Sequence, residues 1–105
     1  MKKARYFLIF SVFLAVFLAG CDEEDKALKK AQKRAVEIGE QFLDYELTAA
    51  EAGEMLDDIL VPETEGNGHR YLSGDIAYLS FIIGNQNSTY EDIKEKVEYI
   101  KDANY

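Results

Sequence analysis

The sequence predicts an all-α fold, a small compact bundle of about four helices that follows an N-terminal signal peptide. Three observations carry this expectation. Apolar residues beyond position 25 recur at spacings of three and four, the period of a helix buried along one stripe. No two segments read convincingly as partnered strands. The length, 105 residues with an apolar share of 48%, suits one domain and argues against wholesale disorder.

The first helix is expected from about residue 24 to 46. Leu28, Ala31, Ala35, Ile38, Phe42 and Tyr45 fall on a single stripe. Asp22–Asp25 stands at its start, where negative charge is favoured by unpaired backbone N–H groups. Thr48-Ala49-Ala50-Glu51 then reads as a capping box opening the second helix. Ala52, Met55, Leu56, Ile59 and Leu60 continue at helical spacing until Pro62, whose ring pushes Val61 towards extended geometry. Glu63–His69, with Gly66-Asn67-Gly68 inside it, is the clear loop.

The third segment, Tyr71–Gly84, carries Leu72, Ile76, Leu79 and Ile83 on one stripe. Ala77, Tyr78, Phe81 and Ile82 leave it almost no polar face, so a helix here should be buried among the others. Its β-branched and aromatic content makes a buried strand the rival. With no partner strand in the sequence, the helix is the expectation, and Gly84 would end it in the left-handed conformation. Ser88 or Thr89 caps a last helix striped by Tyr90, Ile93, Val97 and Ile100, with Lys94 and Glu98 spaced for an ion pair on its wet face. Two helical hairpins packed together would bury these stripes.

Charge separates the N-terminus from the rest. The chain holds 12 basic and 20 acidic residues, and Lys2, Lys3 and Arg5 lie in a stretch of 20 residues that has no acid. Without those three, 9 basic residues face 20 acidic ones, a formal −11. Such a body has no cationic face for nucleic acid. One His and one Cys exclude Cys/His zinc sites and cysteine-pair redox motifs.

Met1–Tyr6 is basic and Phe7–Ala19 is apolar apart from Ser11, the layout of a secretory signal. Thirteen helical residues rise about 20 Å, short of the roughly 30 Å hydrocarbon core, so a signal peptide fits better than a spanning anchor. Leu18-Ala19-Gly20-Cys21 closes the apolar run, and there the sequence resembles the lipobox of bacterial lipoprotein precursors. The resemblance covers residues 1–21. It implies cleavage between Gly20 and Cys21, a covalent diacylglyceryl lipid on the Cys21 sulfur and no other cofactor. The expected organisation is a signal peptide at 1–20, an acidic tether at 21–25 and a helical domain at 26–105. Two acyl chains hold a protein at a bilayer where one alone would be marginal. The implied location is the outer face of the cytoplasmic membrane, or the outer membrane of a Gram-negative cell.

Residues able to carry chemistry are few. Glu54, Asp57 and Asp58 are spaced i, i+3, i+4 opposite the apolar stripe of the second helix, where they should be solvated. They do not follow the loop spacing of a calcium-binding EF-hand. His69 lacks a second His and any Ser or Cys nucleophile arrangement, and is expected as an exposed loop residue. No enzyme is therefore expected. Asn87-Ser88-Thr89 matches a glycosylation sequon, and helix capping explains it fully.

Two surface features invite binding. Lys26, Lys29, Lys30, Lys33 and Arg34 place five cations in nine residues; a solvated, salt-bridged face is the default reading and contact with anionic headgroups the alternative. Six tyrosines follow position 21, and tyrosine is favoured at recognition surfaces. Tyr45, Tyr78 and Tyr90 lie near apolar stripes and are expected in the core; Tyr71, Tyr99 and Tyr105 are the candidates for a partner surface. The functional expectation is a lipid-anchored, non-enzymatic envelope protein that binds another protein or envelope component. A membrane-tethered inhibitor of the superinfection-exclusion kind is an alternative by analogy of size and helical nature. A second alternative is that Phe13–Gly20, cut out of the signal peptide, serves as a secreted signalling octapeptide.

Overall fold

The computed structural model describes residues 23–105. The expected signal peptide, the lipobox-like Leu18–Cys21 and the candidate octapeptide lie outside the described residues. Four helices follow one another: α1 (Glu23–Leu43), α2 (Ala49–Asp57), α3 (Gly68–Gly84) and α4 (Tyr90–Asp102). No strand occurs among the described residues, so the third segment is a helix. None of these helices is long and apolar enough to cross a membrane.

Helix α1 begins at Glu23, close to the start expected near residue 24, and its opening turn falls in the acidic stretch that the unpaired N–H groups of a helix start favour. The helix stops at Leu43, sooner than expected. Tyr45 takes φ 62°, the left-handed conformation. Its N–H donates to the carbonyl of Phe42 (3.0 Å) and the N–H of Glu46 to that of Gln41 (2.9 Å). Those two bonds are a Schellman motif with a tyrosine where glycine is usual. Tyr45 consequently leaves the stripe and stands 88% exposed, outside the core where the sequence placed it.

Thr48 caps α2 as expected. Its Oγ1 accepts from the Glu51 N–H at 3.1 Å, and Glu51 Oε1 accepts from the Thr48 N–H at 3.1 Å. Thr89 builds the same box on α4 with Asp92, at 3.1 and 3.0 Å. Each such cap stabilises its helix by about 1 kcal/mol. Helix α2 ends at Asp57, well before Pro62, and leaves Leu60 exposed instead of on the stripe. Helix α3 starts at Gly68, three residues ahead of expectation. It ends at Gly84 without any left-handed glycine, because Asn85 makes the turn instead. Asn85 Oδ1 accepts from the Asn87 N–H at 2.9 Å, and its carbonyl accepts from the Ser88 N–H at 3.1 Å.

The core is one cluster drawn from all four helices, centred on the fully buried Ile38, Leu56, Leu72, Leu79 and Ile100. Truncating such a residue to alanine costs about 2–5 kcal/mol. The dominant contacts are α1 with α4 and α2 with α3, so α2 and α3 form one hairpin while α1 and α4, the first and last helices, pair across it. With nine residues, α2 is too short to cover the α1 stripe that runs from Leu28 to Leu43; the thirteen residues of α4 cover it instead. Gly39 permits the approach, since a Cβ there would lie 2.5 Å from Val97 Cγ2.

Candidate binding surface

Helices α3 and α4 bring Asp75 and Lys96 together on the side of the bundle where Tyr71, Tyr78, Phe81 and Tyr99 emerge. Lys96 Nζ lies 2.7 Å from Asp75 Oδ1, with both side chains largely buried. The Tyr105 hydroxyl donates to the other carboxylate oxygen, Asp75 Oδ2. The Lys96 ammonium also sits over two rings, 4.4 Å from the centroid of Tyr99 and 5.1 Å from that of Tyr78. A cation over a ring face is attracted by the ring quadrupole, so the ammonium favours these orientations of both rings.

The phenol of Tyr105 is held well above its ordinary pKa. Burial is the largest cause; the hydrogen bond to Asp75, that carboxylate's charge and the neighbouring Tyr99 add to it. A proton so retained keeps Tyr105 a donor and fixes the segment after α4 across α3. Gly68 permits this closure, because a Cβ there would collide with the Tyr105 backbone carbonyl.

Around this network the rings stand in water. Tyr71 and Phe81 are each 65% exposed, Tyr99 59% and Tyr78 53%. Tyr78, Phe81, Lys96 and Tyr99 border one shallow depression, while Tyr71, Tyr99 and Tyr105 border the next. Of the three tyrosines expected at a surface, Tyr71 and Tyr99 are exposed and Tyr105 is half-buried beneath them. Tyr78 and Tyr90, expected in the core, are both exposed. Helix α3 is not buried all round as its composition suggested. Its neighbours cover Leu72, Ile76, Leu79 and Ile83, and no element covers Ala77, Tyr78 or Phe81 among the described residues.

The remaining polar candidates are dispersed. Glu54, Asp57 and Asp58 are exposed, and Asp57 accepts from Ser80 Oγ at 3.2 Å. His69 is not an exposed loop residue. It lies in the first turn of α3, half-buried, with Nδ1 3.3 Å from the Thr64 N–H and 3.2 Å from Thr64 Oγ1. Its ring thereby ties the 63–67 loop to the helix. Lys94 and Glu98 are not paired; the ion pairs among the described residues are Arg34–Glu37, at 3.6 Å, and Lys96–Asp75. No group of three or more metal-ligating side chains occurs among the described residues. No protein-family model matches the chain, and neither does any curated protein or solved structure.

Proposed function

We propose that this chain is a lipid-anchored, non-enzymatic bacterial envelope lipoprotein that binds a protein partner through the aromatic face of α3 and α4. The single observation that carries the binding reading is the exposure of Tyr71, Tyr78, Phe81 and Tyr99 around the Asp75–Lys96–Tyr105 network. Aromatic rings offer large contact area at little entropic cost, and the tyrosine hydroxyls keep the uncovered face wet. Anchorage rests on the resemblance of Leu18–Cys21 to a lipobox, which supports a location on the outer face of the cytoplasmic membrane or, in a Gram-negative cell, at the outer membrane. A body of formal charge −11 beyond residue 20 suits a partner with a cationic rim.

Two measurements test this reading. Metabolic labelling with a fatty acid should mark the wild type and leave Cys21→Ala unmarked; labelling of neither removes the anchor. Photocrosslinking on intact cells, with a reactive side chain in place of Phe81, should trap a discrete partner. That adduct should disappear in the Tyr71→Ser/Tyr99→Ser double variant. An adduct that survives both substitutions would rule out the aromatic face as the binding surface.

A further inference from the structure

The charge of this chain is divided by position. Residues 22–25 hold four acids, residues 26–34 five cations and no acid, and the residues beyond them four cations and sixteen acids. Lys26, Lys29, Lys30, Lys33 and Arg34 are all exposed, on the face of α1 opposite its buried Leu28, Ala31 and Ala35. Beside this stripe Leu60 stands 90% exposed. With Ile59 and Val61 it forms one wall of a groove whose other wall is Lys30, Lys33 and Arg34; Asp58 and Glu37, the latter 3.6 Å from Arg34, also line it, so three cations face two acids there.

We infer that this basic stripe and Leu60 form the surface by which the protein lies against an anionic phospholipid bilayer, with α1 along the membrane and not upright from it. The inference rests on the lipid anchorage proposed above, and it goes further by fixing which face of the anchored domain meets the lipid. Distance decides the orientation. Arg34 stands eleven residues beyond the helix start at Glu23, about 17 Å along the axis. An upright α1 would hold it outside the screening length of about 8 Å at physiological salt. Laid flat, α1 brings all five cations within reach of lipid phosphates.

The rest of the charge acts in the same sense. The acids at 22–25 are held beside the anchor whatever the tilt and repel an anionic surface equally in both orientations; the acids beyond residue 34 are repelled and the basic stripe attracted, which favours the flat one. Exposed aliphatic groups flanking cations are the composition that enters the headgroup region. The aromatic face lies on α3 and α4, which carry none of these five cations, and in this orientation it stays available to a partner.

The test reconstitutes the full acylated chain into vesicles of phosphatidylcholine alone or with about one-third phosphatidylglycerol. Flotation with the neutral vesicles reports the anchor. Amine acylation read by mass spectrometry reports the docking. Acylation of Lys29, Lys30 and Lys33 should fall several-fold on the anionic vesicles relative to the neutral ones and recover at high salt, while Lys94, on α4 and outside the depression that Lys29 and Lys33 line, stays unchanged. The Lys29→Glu/Lys30→Glu/Lys33→Glu variant changes exposed side chains only; it should abolish the matching protection of Lys26. Failure to float with neutral vesicles overturns the anchor. Equal acylation on the two vesicle types overturns the docking, whether or not the anchor holds. Protection by soluble polyphosphate as strong as that by anionic vesicles overturns the bilayer as the partner.

Discussion

The side chain of Gln32 on α1 closes the C-terminal end of α4: its Nε2 donates to the backbone carbonyl of Ile100 at 2.6 Å and to that of Ala103 at 2.9 Å. The last carbonyls of a helix have no partner within it, and Ala103, the residue that ends α4, has extended backbone geometry. One amide thus satisfies two acceptors and joins the first helix to the last. Gln32→Ala should lower stability by about 1–2 kcal/mol, the usual cost of unpairing partly buried acceptors. Gln32→Glu should cost more, since a carboxylate cannot donate and sits at the negative end of the helix. Urea denaturation checks both; equal stability of wild type and Gln32→Ala would sink the idea.

Gly39 predicts a steric coupling between the same two helices. An added Cβ would fall 2.5 Å from Val97 Cγ2 and 3.6 Å from Leu79 Cδ2. Val97 is buried and branched at Cβ, so its methyl has little room to turn away. Gly39→Ala should therefore destabilise by about 1–3 kcal/mol, despite the roughly 1 kcal/mol that alanine adds in helix propensity. Val97→Ala alone should also destabilise, through its cavity. The double variant should be more stable than the sum of the single losses allows, a coupling that a double-mutant cycle measures. Strict additivity would mean that the helices do not meet at these two residues.

Local chemistry made much of this fold readable. The stripes of α1, α3 and α4, the capping box at Thr48 and the cap at Thr89 depend on residues within a few positions of one another. The Gln32 closure and the Asp75–Lys96–Tyr105 network instead join residues up to 71 positions apart, and nothing in the local pattern distinguishes Asp75 or Lys96 from neighbouring surface charges. Tyr71 and Tyr99 were recognisable as surface residues because they fall off the apolar stripes. Tyr78 and Phe81 were not, because burial of an apolar helix requires neighbours on every side. Among the described residues, with a nine-residue α2, no helix covers them.

Tyr45 offers a test in the stabilising direction. Its left-handed backbone costs an L-residue about 1 kcal/mol, and its ring, 88% exposed, returns little packing energy. Glycine adopts the conformation without strain, at some entropic cost in the unfolded chain. Tyr45→Gly should raise stability by about 0.5–1 kcal/mol, with Tyr45→Asn between the two. Thermal denaturation decides it: a lower midpoint for Tyr45→Gly would show that the exposed ring contributes more than the backbone strain removes.

The retained proton of Tyr105 predicts a loss of stability in alkali. In the unfolded chain the phenol ionises near its ordinary value, about pH 10. In the folded protein burial and the Asp75 carboxylate hold it higher. Above pH 10 the folded state therefore binds more protons than the unfolded one, and stability falls as pH rises. The contribution is fully present below about pH 10 and is lost progressively above it, as pH climbs towards the folded-state value. Tyr105→Phe removes the titrating group and keeps the ring. It should be somewhat less stable than wild type at neutral pH, where the hydrogen bond to Asp75 is missing, and should lose less stability between pH 9 and 11. The two proteins differ by one hydroxyl alone, so the difference between the two urea-midpoint curves isolates Tyr105. Parallel curves would mean that the phenol meets water as freely in the folded state as in the unfolded one.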